Sequence, residues 1–324
     1  MTEMPDAPVR SARLFVGSFS YGYDPAKTVT EFDPSALWTA DDLIDPLTGR
    51  PWQNTLLATG VENWEWYASI YTEIYRKTGC KLFVFWTDAS LKGPVPASAL
   101  ASAYQDLFTR YPDLPSQPSG IFLYDEPDPD TVIPQIVAVT RELKQTFPAT
   151  ALYANFRYDT ISTRPDSVQL IGQSSLDFVS SDEYYDVSIP QYRETYQTRL
   201  YPFLKQGQRV FVVPFAAYDE ITVPINGVCP PVDPAAADTR ELYSAQAHVE
   251  WLGSDSMVAG MMIYRLKNLW LPKGIAKPVV DNPICNGIGL IDRMPDGSYI
   301  TPNTVAFYKT LQSAQGYGAT FLND

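Results

Sequence analysis

Carboxyl groups follow apolar segments at several points of the sequence, and they are the groups best able to do chemistry. In GIFLYDEPDPD, residues 120–130, an apolar and aromatic run leads directly into Asp125 and Glu126. A second run, LDFVSSDEYY, ends on Asp182 and Glu183. Two positioned carboxyl groups can serve as a proton donor and as a nucleophile, base or charge stabiliser. The sequence therefore predicts acid–base chemistry where strands end.

Cleavage of a glycosidic bond is a reaction that needs such a pair, one carboxyl group protonated and the other ionised. Asp125 should raise the affinity of the adjacent Glu126 for its proton. We therefore predict Glu126 as the proton donor, Glu183 as its partner carboxylate and Asp125 as a tuning group. Strands two apart in a sheet lie about 9–10 Å from each other, a spacing compatible with the ~5 Å and ~6.5–9.5 Å carboxyl separations of retaining and inverting glycosidases.

Short apolar runs alternate with stretches of helical spacing along the whole chain, which is typical of parallel strands joined by crossover helices. Eight such strand and helix pairs predict an α/β fold, a single (β/α)8 TIM barrel over residues 1–324. An open doubly wound sheet is the alternative, but VGSFSYGYDP after the first strand is no dinucleotide-binding fingerprint. The predicted strands span residues 12–20, 54–60, 80–88, 119–126, 150–158, 176–185, 209–219 and 257–265.

Long segments follow predicted strands one, seven and eight, at residues 21–53, 220–236 and 266–301. They leave the carboxyl ends of the strands, where barrel enzymes keep their active sites. Strand alternation, with small or branched residues assigned to the interior, places Ile121, Leu123 and Asp125 inward and Glu126 on the rim. By the same rule Glu183 faces inward.

Further polar and aromatic residues near the same rim are predicted to bind substrate, through hydrogen bonds to sugar hydroxyls or stacking on sugar faces. Helix capping by the acids and core packing by the aromatics remain the alternative readings. The predicted substrate-binding residues are Trp86, Asp88, Asn155, Arg157, Asp182, Tyr185, Glu220, Tyr264 and Trp270.

The composition limits the possible partners and cofactors. A formal net charge of -13 opposes binding to nucleic acid or acidic membranes, whereas neutral glycans meet no such penalty. The single histidine, His248, lies in a helical pattern and is better explained as a packed helix residue than as part of a triad or metal site. No metal or organic cofactor is required, and the oligomeric state is left open.

Cysteine spacing and the N-terminal residues bear on localisation. The three cysteines form no CxxC motif, and a Cys229–Cys285 disulfide is left open; it would indicate an oxidising compartment. The first residues lack an apolar signal core. An extracellular location is favoured over a cytoplasmic one, with the signal lying outside this sequence.

The motifs GIFLYDEPD, LYANFRYD and LDFVSSDEYYD resemble those of the spherulin-4-like glycoside hydrolases. The resemblance covers residues 115–190 and implies a barrel enzyme that cleaves N-acetylgalactosamine-containing polysaccharides. It also implies a catalytic set of Asp125, Glu126 and Glu183. A second resemblance, to retaining barrel hydrolases with the acid on strand four and the nucleophile on strand seven, pairs Glu126 with Glu220, although Asn usually precedes the strand-four acid there.

Two other functions remain open at this point. A non-catalytic carbohydrate-binding barrel would keep the aromatics without needing paired carboxylates. A metal-dependent lyase, isomerase or hydrolase could use the same acidic rim to hold Mg²⁺ or Ca²⁺.

Overall fold

The computed structural model of the chain contains a closed barrel of eight parallel strands. Its strands pair in chain order from β1 to β7, and β9 closes the barrel by pairing with both β7 and β1. The barrel strands are β1 (Phe15–Phe19), β2 (Thr55–Ala58), β3 (Lys81–Phe85), β4 (Gly120–Asp125), β5 (Ala151–Arg157), β6 (Phe178–Asp182), β7 (Arg209–Val212) and β9 (Val258–Ile263). The structure describes residues 15–19, 55–58, 76–77, 81–85, 96–110, 120–182, 187–214, 217–218, 234–263, 288–289, 298 and 301–315.

Helices follow the barrel strands from β3 onward, so the predicted alternation is confirmed for that part of the chain. Residues 76–77, between β2 and β3, are also helical. No helix in the described ranges has the length and apolar character needed to cross a membrane. The helices are α1 (Ala97–Arg110), α2 (Ile136–Thr146), α3 (Tyr158–Thr163), α4 (Pro165–Gln173), α5 (Ile189–Thr195), α6 (Pro234–Ser254) and α7 (Pro302–Gln315).

The apolar faces of these helices pack on the outside of the barrel. In α2 the buried residues Ile136, Thr140 and Leu143 recur at the spacing of one helix face. Ile136 and Leu143 belong to a hydrophobic cluster that also contains Ile121 and Val179 from the strands. This layer between strands and helices is the larger of the two hydrophobic clusters.

Aromatic side chains fill the barrel interior. The ring of Phe83 on β3 lies 6.2 Å from that of Phe178 on β6 and 6.3 Å from that of Phe211 on β7. Strands β3 and β7 are not neighbours, so these rings meet across the barrel. Gly120 makes room for this packing, since a Cβ atom there would lie 2.2 Å from the ring of Phe83.

The prediction that small or branched residues line the interior is therefore wrong. Ile121, Leu123 and Val179 pack in the helix-facing layer, while Phe122 and Tyr153 belong to the interior cluster. The interior of an eight-stranded barrel is filled by side chains from only part of each strand. Here stacked and edge-to-face rings fill that space, such as Phe122 on Tyr153 with 4.7 Å between centroids.

A bulge in β4 changes the direction of its last residues. The pairing with β5 is regular up to Phe122 opposite Tyr153, then skips a residue so that Tyr124 lies opposite Ala154 and Asp125 opposite Asn155. A one-residue insertion reverses which face the following residues occupy. Asp125 thus joins the interior face, as predicted, although Ile121 and Leu123 do not.

The predicted seventh strand, residues 209–219, is interrupted in the structure. β7 ends at Val212, and the short strand β8 (Ala217–Tyr218) pairs antiparallel with β10 (Ile288–Gly289) outside the barrel. Pro214 lies between β7 and β8 and has no N–H for a sheet hydrogen bond. This small sheet joins the end of the seventh barrel strand to the long segment after the eighth.

Candidate active site

Five of the predicted site residues come together where β4, β5 and β6 end. Asp125 lies opposite Asn155, and Arg157 lies opposite Asp182. Glu126 directly follows β4, and its backbone N–H donates to the carbonyl oxygen of Asn155 at 2.9 Å. We refer to Asp125, Glu126, Asn155, Arg157 and Asp182 as the mouth cluster.

The backbone of Glu126 adopts an unusual conformation. Its φ of +50° lies in the left-handed region, and no other non-glycine residue in the described ranges has a positive φ. Such a conformation costs a glutamate energy and persists where the surroundings enforce it, often at functional sites. At Glu126 it accompanies the end of the bulged strand.

The carboxyl groups of Glu126 and Asp182 are in hydrogen-bonding contact across the mouth. A hydrogen bond between two carboxyl groups requires one proton between them, since two carboxylates have no donor. Glu126 lies at the surface of the barrel mouth, where its side chain is exposed.

The surroundings of Glu126 favour its protonated form. Desolvation by the surrounding protein is the largest cause that raises the pKa of Glu126, and the negative charge of Asp125 adds to it. The positive charge of Arg157 and the hydrogen bond with Asp182 oppose this shift, and Asp159 reinforces it. The net result is a pKa above the ordinary glutamate value, which suits a proton donor.

A buried chain of hydrogen bonds in the barrel interior ends at the carboxyl group of Asp125. The Nδ2 atom of Asn155 donates to Oδ1 of Asp125 at 3.0 Å, and the Oδ1 atom of Asn155 accepts from the hydroxyl of Ser180 at 2.6 Å. The hydroxyl of Tyr153 lies 2.6 Å from that of Ser180. Asn155, Ser180 and Tyr153 are fully buried, so Asn155 supports the cluster from within the barrel.

Arg157 is the cation of the mouth cluster. Its side chain is exposed, and its Nε atom lies 3.4 Å from Oδ1 of Asp159 at the start of α3. An exposed pair at this distance contributes little to stability. The guanidinium group is therefore available to a ligand as well as to its neighbouring acids.

The prediction that Glu183 faces inward rested on a wrong assignment of the faces of β6. Val179 packs toward the helices, and the hydroxyl of Ser181 contacts that of Tyr192 on α5. Ser180 contacts the interior residues Tyr153 and Asn155 instead. It is Asp182, on the same face as Ser180, that contacts Glu126; it had been predicted to bind substrate.

The remaining predicted site residues lie outside the described residues, so their roles stay predictions. This set includes the proposed partner carboxylate, the strand-seven alternative and the aromatic platforms. It comprises Glu183, Trp86, Asp88, Tyr185, Glu220, Tyr264 and Trp270.

Three residues that affect the mouth cluster were not predicted from the sequence. Tyr153 and Ser180 lie in apolar strands, where Tyr and Ser give no signal of a polar network. Asp159 could have been predicted, because it lies two residues after Arg157, the last residue of β5, and carries the opposite charge. The signal that was present is therefore the charge alternation after β5.

His248 is a buried helix residue in the structure, as the sequence predicted. Its Nδ1 atom lies 2.8 Å from the backbone carbonyl of Ser244, and its ring stacks on Trp251 with 6.2 Å between centroids. Burial lowers the pKa of His248 to about 4. The ring is therefore neutral at physiological pH and is separate from the mouth cluster.

The described portion of the chain contains no group of three or more His, Cys, Asp or Glu side chains that could hold a metal ion. The carboxyl groups of Asp125, Glu126 and Asp182 in the mouth cluster lie close to one another and to Arg157.

Comparison with known proteins gives a likeness of fold without a likeness of sequence. No family model matches the sequence, and no curated protein matches it. The fold is similar to that of native xylanase 10B from Thermotoga maritima, with a TM-score of 0.55 and 11% identity over 93% of this chain and 97% of the other. The intracellular xylanase TsXylA from Thermoanaerobacterium saccharolyticum JW/SL-YS485 gives a TM-score of 0.56 and 11% identity over 94% and 99%.

A larger enzyme shares the same fold. The GH2 beta-galacturonidase from Eisenbergiella tayi, solved with galacturonate bound, is similar with a TM-score of 0.54 and 14% identity. The match covers 92% of this chain but 51% of that one. The chain therefore has the parallel α/β barrel fold that glycoside hydrolases of several kinds share.

Proposed function

We propose that the protein is a glycoside hydrolase that cleaves a polysaccharide or oligosaccharide, with Glu126 as the proton donor. The observation that carries this proposal is the contact of Glu126 with Asp182 beside Asp125, at the carboxyl end of a parallel barrel. In such barrels the active site lies at that end. The similar fold of glycoside hydrolases supports the same reaction class.

The protonated form of Glu126 suits the first step of the reaction. The leaving oxygen of a glycosidic bond needs a proton as the bond to the sugar carbon breaks. Desolvation and Asp125 favour that proton on Glu126, whereas the hydrogen bond with Asp182 and the charge of Arg157 favour its release. Asp125 acts as the tuning group.

Asp182 is too close to Glu126 to act as the opposing carboxylate. Retaining enzymes separate the two carboxyl groups by about 5 Å, and inverting ones by about 6.5–9.5 Å, because the sugar carbon or a water must fit between them. A hydrogen-bonded pair leaves no such space. We assign the partner role to Glu183, the residue after Asp182, with Glu220 as the alternative.

The same proposal includes the rest of the architecture. We propose one (β/α)8 domain, in which the long segments after strands one, seven and eight contribute to a cleft for a carbohydrate chain. We assign sugar contacts to Trp86, Tyr185, Tyr264 and Trp270, together with Asp88. The net charge of -13 favours a neutral glycan over an acidic one.

Product analysis tests this function directly. Purified protein is incubated with galactosaminoglycans, glucans and arabinans, and the products are resolved by chromatography and mass spectrometry with and without a metal chelator. New reducing ends from at least one polymer, unaffected by the chelator, are the expected result. Retention of a glycan without any cleavage would contradict the proposal and indicate a binding barrel, and activity lost to the chelator would indicate metal-dependent chemistry.

A further inference from the structure

A hydrogen-bonded chain beneath the mouth cluster runs across three strands. Tyr153 and Asn155 lie on β5, Ser180 on β6 and Asp125 at the end of β4, and the strand register places Asp125, Asn155 and Ser180 side by side. The bulge in β4 brings Asp125 into this row. The chain therefore depends on the backbone geometry of the barrel as well as on the four side chains.

The direction of these hydrogen bonds follows from their chemistry. An amide oxygen only accepts, so Ser180 donates its hydroxyl proton to Oδ1 of Asn155. The Ser180 oxygen can then accept the proton of the Tyr153 hydroxyl at 2.6 Å. At the other end, the Nδ2 atom of Asn155 donates to Asp125, which must present an acceptor oxygen.

The reverse direction is disfavoured at the buried end. If Asp125 were protonated and donated to Asn155, the amide would turn over, and Ser180 would donate toward Tyr153. The phenol proton of Tyr153 would then lose its acceptor, because the described residues offer this hydroxyl no hydrogen-bond partner other than Ser180. Leaving a buried donor unsatisfied costs about 1–3 kcal/mol.

We propose that Tyr153, Ser180 and Asn155 form a positioning relay, which keeps Asp125 ionised and fixed behind Glu126. The relay uses buried groups that contact no substrate themselves. This inference deepens the proposed function and rests on it for its catalytic meaning, since the ionised Asp125 adds to desolvation in retaining the proton on Glu126. It gives Asn155 a positioning role in place of the predicted substrate contact.

The charged groups around Glu126 determine how the relay can affect the protonation of Glu126. Asp125 on β4 and Asp159 on α3 favour the protonated form of Glu126, while Arg157 on β5 and the hydrogen bond from β6 through Asp182 favour the ionised form. Within this set, the relay contacts Asp125 alone. Weakening the relay should therefore let Asp125 take up a proton at higher pH and let Glu126 release its own at lower pH.

A pair of neighbouring serines supplies a matched test. Ser180 and Ser181 are both fully buried on β6, but the Ser181 hydroxyl points to Tyr192 and takes no part in the relay. The carboxyl carbons of Asp125 and Glu126 are followed by carbon-13 NMR as a function of pH in the wild type, Ser180→Ala and Ser181→Ala. Tyr153→Phe, which removes one hydroxyl and keeps the ring, provides a second relay variant.

The expected result is a pair of opposite shifts in Ser180→Ala and Tyr153→Phe, upward for the midpoint of Asp125 and downward for that of Glu126. Ser181→Ala should leave both midpoints at the wild-type values. Unchanged midpoints in both relay variants, or equal shifts in Ser181→Ala, would overturn the relay. The titration needs no substrate, so it tests the relay even if the protein cleaves no glycan. Absence of glycan cleavage would overturn the proposed function alone.

Discussion

Acidic side chains have different neighbours in two regions of the molecule, the mouth cluster and the two ends of α6. Asp238, near the start of α6, accepts four hydrogen bonds at 2.8–3.0 Å from backbone and side-chain groups of Asn303 and Thr304. Asp255, just after α6, accepts from Trp251, Tyr201 and the N–H of Met257. In contrast, Glu126 faces Asp125 and Asp182, two other acids.

This difference separates structural acids from reactive ones. Donors surrounding a carboxylate stabilise its charge and fix its position, so Asp238 joins α6 to the first turn of α7. Acids surrounding a carboxyl group oppose its ionisation and leave a proton that can be given away. The surroundings of each acid therefore indicate its role better than its position after a strand.

The largest expected effect is on catalysis by Glu126. Replacing Glu126 by Gln removes the transferable proton and should lower kcat at least ~100-fold, the scale of general acid–base contributions. Glu183→Gln should have an effect of the same size if Glu183 is the partner carboxylate. Steady-state kinetics on the glycan found by product analysis, with circular dichroism to check folding, measures both.

The matched control for these variants is Glu142→Gln on α2, where the side chain is exposed and away from the mouth cluster. Its turnover should equal that of the wild type. Normal turnover in Glu126→Gln would contradict the role of Glu126 as proton donor, and with it the distinction between reactive and structural acids.

His248 provides a stability test of the α6 region. Its pKa is about 4 in the folded protein, because burial disfavours the charged ring, whereas about 6.5 is expected in the unfolded chain. The unfolded chain then binds the extra proton between these values, so stability is retained above pH 6.5 and falls as the pH drops toward 4, by up to about 3 kcal/mol. Urea denaturation of the wild type and His248→Phe across this range measures the loss.

His248→Phe should remove that part of the acid sensitivity and leave the pH profile of activity unchanged. The substitution keeps a ring beside Trp251, and in the described part of the chain the Nε2 atom of His248 has no hydrogen-bond partner to lose. A changed activity profile would show that the α6 region and the mouth cluster are not independent.

Asp238→Ala should destabilise the protein by about 2 kcal/mol, because it removes a helix cap and leaves the buried backbone N–H of Thr304 without an acceptor. Asp106→Ala is the control, since Asp106 is exposed and forms an ion pair with Arg110 on the same helix. That change should stay within ~0.5 kcal/mol. Equal losses of stability in the two variants would contradict the structural role assigned to Asp238.

The smallest expected effect is a gain in stability from Glu126→Gln. A raised pKa means that ionised Glu126 is disfavoured in the folded protein, so its favourable contribution exists at low pH and is lost as the pH rises through the folded value. The glutamine variant should therefore melt at a slightly higher temperature than the wild type at pH 7. The difference in melting temperature between the two proteins should shrink at pH 4. A lower melting temperature of Glu126→Gln than of the wild type at pH 7 would contradict the unfavourable effect of the neighbouring acids on ionised Glu126.

Much of the barrel could be predicted from the sequence, because each buried strand leaves a compact apolar run. The central strand positions were found for all eight barrel strands, with ends that differ by a few residues. The split of the seventh run at Pro214 was missed, although proline is a known signal for the end of a strand. Long-range pairing of β8 with β10 leaves no such local signal.

The faces of the strands could not be predicted by alternation alone. The bulge in β4 inserts a residue before Asp125, and nothing in GIFLYDE shows where the pairing with β5 will skip. The interior contains the bulky side chains of Phe122, Tyr153 and Phe211, whereas the prediction reserved the interior for small or branched residues. The contact between Glu126 and Asp182 depends on both features, so it became visible only in three dimensions.

Carbon-13 NMR titration of the carboxyl groups of wild-type Glu126 and Asp182 tests the central claim most directly. If the two groups share a proton in the mouth cluster, the pair should titrate in two well-separated steps, the upper one above the ordinary glutamate value. Independent titration of both groups at their ordinary values would contradict the account.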